Sequence, residues 1–208
     1  MILRTLALAL VLCSANPSFA SELRVHIVDD HNAPVANAVA TLTVANPPAG
    51  PIHFGWPMRI AQRNMQFDPF VLIAPAGATV AFPNLDDVRH QVYSFSQPGP
   101  FELRLYGHDE SRSVQFRNVG VIAMGCNIHD QMSAFIYVTN TPYAAKSAPN
   151  GVAAIANAPP RSATLTIWHP YSRAPNGVQQ QTIVLNAADT EVTVRVRLHP
   201  PPDRSMSY

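Results

Sequence analysis

Apolar and polar positions alternate over much of this chain. Leu23, Val25 and Ile27 are separated by Arg24 and His26, the period-two pattern of a half-buried strand. Near the other end, Val192, Val194, Val196 and Leu198 alternate with Thr193, Arg195 and Arg197. Val35 to Val44 predicts a second strand after a turn at Asp29 to Pro34, with Val39, Thr41 and Thr43 on one face and Ala40, Leu42 and Val44 on the other. Strand character recurs at Ala61 to Phe67, Val71 to Ile73, Thr79 to Phe82, Val92 to Phe95, Ala134 to Val138 and Ala163 to Trp168. Two segments break the pattern. Asn46 to Pro57 is a connector rich in proline and glycine, and Tyr143 to Asn150 reads as a linker. With 20 prolines and abundant Val, Thr and Ala, the chain is expected to be all-β.

The first twenty residues follow another logic. Arg4 supplies a positive start, Leu6 to Cys13 an apolar core, and Ser18-Phe19-Ala20 a small-x-small cleavage site. Cleavage after Ala20 and a periplasmic location are expected. The apolar core is too short to span a bilayer, so no membrane insertion is expected. Leu12 precedes Cys13 where lipid attachment needs a small residue, which argues against a lipoprotein. Charged residues are 13% of the chain, the net charge is +1, and no basic run points to nucleic acid.

Removing that segment leaves one of the two cysteines, Cys126. An exported chain with a single thiol has no internal disulfide, so the thiol is free, intermolecular or occupied. Cys126 closes an apolar run within Gly120 to Val138, GVIAMGCNIHDQMSAFIYV, and His129 and Met132 follow at C-x2-H-x2-M spacing. Alternation puts Ile122, Met124 and Cys126 on one face of their strand. Thiolate, imidazole and thioether together select copper, and a Cys with two His and a weak Met describes an electron-transfer site. The second imidazole should come from a distant strand, and His90 in FPNLDDVRHQVYSF stands at the start of one. The candidate ligands are His90, Cys126, His129 and Met132. Met124 is the other methionine available, but its place on the strand favours core packing. Asp86 and Asp87 fit a polar turn, His108 an exposed turn, His53 and Trp56 local packing, and His169 a structural or exposed strand end. There is no second Cys for a dinuclear centre, no His-x-His pair for a multicopper oxidase and no nucleophile–base arrangement, so an enzyme is not expected.

Phe82-Pro83-Asn84 ahead of His90, with Cys126, His129 and Met132 after it, resembles the cupredoxins, the plastocyanin and amicyanin family, over roughly residues 61–141. The short ligand loop is most similar to the amicyanin type. The wider pattern resembles exported bacterial methylamine-utilisation or cupredoxin-domain proteins. One position departs from the family: Gln91 stands where many members carry Asn, which puts the hydrogen bonding around the first His in question. The resemblance implies a Greek-key β-sandwich holding one type 1 copper ion, with electrons exchanged with a redox partner protein through the exposed edge of His129. Outside that region, Asp30-x-x-Ala33-Pro34-Val35-x-x-Ala38-Val39 and the run from Asn150 to Pro160 resemble the transthyretin-like, carboxypeptidase-regulatory β-sandwich. They imply a discontinuous outer domain, 21–57 and 143–199, around a cupredoxin domain at 58–142, with a disordered tail at 200–208. A single decorated sandwich remains the alternative. For function, a one-electron carrier stands first. A copper-delivery protein using the same ligands without a redox circuit comes second, and a metal-free interaction module third.

Overall fold

The computed structural model describes residues 21–201 of the chain. The expected signal segment and the tail beyond Pro201 lie outside the described residues. The early strands are β1 (Leu23–Val28), β2 (Val39–Val44), β3 (Ala61–Arg63), β4 (Gln66–Asp68), β5 (Val71–Pro75) and β6 (Ala78–Pro83). Next come β7 (His90–Ser94), β8 (Phe101–Tyr106), β9 (Ser111–Phe116), β10 (Gly120–Cys126) and β11 (Ser133–Thr139). The chain continues through β12 (Ala144–Lys146), β13 (Val152–Ile155), β14 (Ser162–Trp168), β15 (Val178–Val184) and β16 (Thr190–Arg195). Among the described residues the only helical piece is a 3-10 turn at Pro175–Gly177. The protein is all-β.

The sheets fall into two groups. The middle of the chain forms a five-stranded sheet in the order β5-β11-β10-β7-β8, with the pairs β6-β9 and β3-β4 beside it. Leu72, Val80, Phe82, Val92, Phe116, Ile122 and Ile136 share one core there. The two ends of the chain build a three-stranded sheet, β13-β1-β16, and a four-stranded sheet, β12-β2-β14-β15. Leu23, Val25, Ile27, Leu42, Ile155, Leu165 and Val194 fill the space between those two sheets. Alternation decides these cores: β1 buries Leu23, Val25 and Ile27, and β10 buries Ile122, Met124 and Cys126. Each fully buried aliphatic side chain contributes roughly 1.5–3 kcal/mol of transfer free energy. A third cluster joins the groups, with Val71 and Ile73 of β5 packed on Val39, Ala144 and Trp168. Phe135 and Tyr137 reach the Trp168 ring from the other side, at 5.7 and 5.6 Å between centroids.

Three expectations about the elements need correction. The linker at Tyr143 to Asn150 contains a strand, because Ala144, Ala145 and Lys146 pair with Thr41, Ala40 and Val39. Its small side chains are buried in a seam and leave no alternating signature. Val35 to Val44 is shorter than read: Val35 is buried, but the strand begins at Val39. Ala61 to Phe67 is a hairpin rather than one strand. Asn64 and Met65 both take positive φ (53° and 52°), as a tight two-residue turn demands, although the usual glycine is missing. Three more strands, β9, β13 and β15, carry too little apolar pattern to be read as such, whereas β8, FELRLY, does alternate and adds to the strands expected from sequence. The solvated β9, SRSVQF, buries only Phe116.

Candidate metal centre

Strand β10 delivers Cys126 to the end of the five-stranded sheet, where its thiol is buried and unpaired with any other cysteine. The chain then loops out and returns as β11, with Gly125 opposite Ser133. Two backbone bonds close the loop: the Cys126 N–H donates to the Met132 carbonyl (3.2 Å), and the Met132 N–H to the His129 carbonyl (2.9 Å). That closure turns the His129 ring back over the thiol. Met132 is buried at the foot of the same loop, and Met124 is buried within the strand; both belong to the middle core.

His90 arrives from β7. Val92 lies opposite Cys126 across the sheet, and a bulge falls between His90 and Val92. His90 and Val92 are two residues apart on β7 and share its inward face by ordinary alternation, while the extra residue lies on β8, where the break in alternation turns Tyr106 inward. His90 is fully buried. Its Nδ1 and the Nδ1 of His129 each stand 3.7 Å from the Cys126 Sγ, and the two rings lie 4.9 Å apart at 60°. The three donor atoms are all within 4.8 Å of one another. His129 differs from the other two in being partly exposed.

The surroundings dictate which nitrogen of His90 faces the thiol. Its Nε2 lies 2.8 Å from the Asp86 carboxylate, so Nε2–H is the donor and Nδ1 keeps a lone pair toward Cys126. Asp86 also accepts the backbone N–H groups of Asn64 and Met65. Burial alone would raise the Asp86 carboxyl, but the bonds from His90, Met65 and Asn64 outweigh it and hold the group below its ordinary value. Beneath it Asn84, fully buried, donates to the Val88 and Tyr106 carbonyls and accepts the Asp86 N–H. Asp86 does sit in a polar turn, but it also orients a candidate ligand, a role sequence reasoning missed. No local pattern signals it, because the stretch between Asp86 and His90 is an irregular turn. Gln91 points away and bonds to Glu102, so the hydrogen bonding questioned there falls to Asp86 instead.

The chain resembles the cupredoxins. Similar solved structures include a copper-containing nitrite reductase from Thermus scotoductus SA-01 at 29% identity, covering 46% of this chain but only 27% of that one, with a TM-score of 0.39. A purple cupredoxin from Nitrosopumilus maritimus is 22% identical over 39% of this chain and 98% of its own, at a TM-score of 0.36. A reduced amicyanin carrying a single substitution is 18% identical over 48% of this chain and 98% of its own, at 0.38. No protein-family model and no curated protein sequence matches the chain.

The residues set aside earlier lie elsewhere. Trp56 stacks on Phe54 and donates its Nε1–H to the Ile73 carbonyl. His169 is buried and accepts the Tyr171 N–H, a structural role. His108 is exposed near the Asp86 carbonyl and the Asp87 and Asp109 carboxylates.

The donor set passes a simple test of fit. With both nitrogens 3.7 Å from the sulfur and all three atoms within 4.8 Å, an ion between them can lie roughly 2.0–2.4 Å from each, the range of metal–imidazole and metal–thiolate bonds. One sulfur and two imidazole nitrogens, without carboxylates among them, favour copper over magnesium or calcium.

Proposed function

We propose that this protein is an exported mononuclear type 1 copper protein that carries single electrons between redox partner proteins. One observation carries the reading: a buried thiol flanked by two imidazole nitrogens at 3.7 Å, one of them fixed from behind by a carboxylate. Bound there, copper would supply one-electron chemistry between its two oxidation states.

The protein's own residues divide the remaining work. Cys126 offers the thiolate, and its strand anchors it in the sheet. His90, clamped by Asp86, cannot rotate, so the donors keep their spacing whichever oxidation state is bound. Met132, buried at the foot of the loop, would hold the ion as a fourth, weaker ligand. His129 alone among the three reaches the surface, which makes its ring edge the route for electrons to and from a partner.

We infer further that 21–57 and 143–199 form an outer unit with 58–142 inserted into it. Support comes from the separate cores on either side of the seam. Export rests on the Met1–Ala20 segment and on cleavage after Ala20. Among the described residues no helix is long and apolar enough to cross a membrane. Mass spectrometry of the exported protein should find Ser21 at its start; a retained, lipid-bearing Cys13 would overturn that part.

Absorption spectroscopy of the purified protein after adding copper(II) is the deciding experiment. A type 1 carrier shows an intense visible band that Cys126→Ser abolishes. Copper bound without that band means a delivery role, and no copper retained by the parent, with parent and Cys126→Ser equally colourless, removes the copper reading.

A further inference from the structure

Three sheet edges converge away from the metal centre. Strands β5, β12 and β13 each end their own sheet. Where they meet lies a cavity of about 600 Å³; β5 lies behind it with Val71, Leu72 and Ile73 almost fully buried, and its accessible apolar lining comes from Trp56, Pro57, Pro69, Val152 and Ala154. Its size falls within the roughly 300–1,000 Å³ of small-molecule sites. Such a junction should expose unpaired backbone, yet two carbonyls of β5 are already satisfied by side chains. Lys146 Nζ donates to the Val71 carbonyl at 2.9 Å, and Trp56 Nε1 to the Ile73 carbonyl at 2.8 Å. The edge is thereby closed to an added strand, which argues against a peptide as the occupant.

What remains open is apolar wall with charge at the rim. Lys146 has three ammonium hydrogens, and Val71 takes one. Arg59 lines the same cavity and is exposed. Asp68 is the one carboxylate on the wall, so two cations face one anion. Burial lowers the Lys146 ammonium below its ordinary value, and Asp68 opposes that shift in part. An apolar body bearing one carboxylate would satisfy both the walls and the charge.

We propose that this cavity binds an amphiphilic anion, a carboxylate with an apolar body. The carboxylate sits between Lys146 and Arg59 and the chain runs along Trp56, Pro57, Pro69 and Ala154. Titration calorimetry on the full chain tests it with decanoate, decanol and decylamine as probes. Decanoate should bind saturably, with decanol and decylamine at least about tenfold weaker. Arg59→Gln, an exposed change, should weaken decanoate about tenfold and leave decanol unaffected. Ala154→Phe, which fills the cavity from a solvated strand face, should abolish decanoate binding while the thermal transition stays in place. No saturable binding of decanoate overturns the proposal. So does decanol or decylamine binding as tightly as decanoate, or either variant binding like the parent.

Discussion

Replacing Asp86 by alanine isolates what a single carboxylate does for the metal centre. In the folded chain it accepts from His90 Nε2 at 2.8 Å and from the Asn64 and Met65 amides. A hydrogen bond to a charged group is worth about 1.5–3 kcal/mol, and each partly solvated amide bond adds about 0.5–1 kcal/mol. The sum, about 3 kcal/mol, lowers the unfolding midpoint of a chain this size by on the order of 10 °C. The metal should report separately. Freed from Asp86, His90 can rotate or change tautomer, and losing such an orienting partner typically costs about 10–100-fold in metal affinity. Competition against a copper chelator measures the second effect and calorimetry the first. Asp87→Ala is the control: the Asp87 side chain is fully exposed, with only His108 near it at 3.8 Å, and both readings should match the parent. If Asp86→Ala kept parental copper affinity, or Asp87→Ala lost as much, the claim that this carboxylate sets the ligand geometry would be wrong.

Met132→Leu should keep copper and colour with a shifted reduction potential, because an axial thioether tunes the metal more than it holds it; a shift in Met124→Leu instead would identify the other methionine. Bulky or charged substitutions at Ile128, 51% exposed, and at Gln131 should slow electron exchange with a partner, and unchanged rates would exclude the His129 route. Tyr106 donates to the Phe82 carbonyl, and burial pushes its phenol up to about 12. Its folded pKa lies above the unfolded value of about 10, so the associated stability is intact below pH 10 and lost as pH rises toward about 12, up to about 2–3 kcal/mol. Tyr106→Phe should flatten that part of a denaturation-versus-pH curve. Gly151 has φ +79°, and an added Cβ would fall 2.7 Å from the Ile27 carbonyl. Gly151→Ala should therefore destabilise by about 2 kcal/mol or more in denaturant titration, without altering a copper spectrum.

What could be read from the chain was whatever short-range chemistry encodes. Cys126, His129 and Met132 share one loop, so their spacing carries the donor set, and alternation along β10 already aimed the thiol inward. His90 was legible because it opens a strand with Val92 on its own face. Asp86 was not, because its role appears only when the turn held by Asn84 folds back over His90. The β3–β4 hairpin escaped because Asn64 and Met65 take conformations usually marked by glycine. Strand β12 escaped because Ala144 and Ala145 are buried against neighbours distant in sequence, a fact that local pattern cannot express. Long polar strands such as β15, VQQQTIV, lie half in water and carry no periodic signal.

One consequence follows from where the chain leaves and re-enters the outer sheets. Leu42 donates its N–H to the Tyr143 carbonyl, and its own carbonyl accepts from the Thr141 hydroxyl, so β2 and the return into β12 run side by side as the two arms of a hairpin. Everything between them, the candidate copper site included, occupies the place of a hairpin turn. Loop-closure entropy grows only with the logarithm of length, about 0.6 kcal/mol for each doubling, so such a turn can be long at small cost to the sheets that carry it. On the proposed division of the chain, the arrangement is a socket: a short turn between Val44 and Thr141 should leave the outer sheets folded, at the cost of uncovering Val39, Ala144 and Trp168 where β5 packs on them.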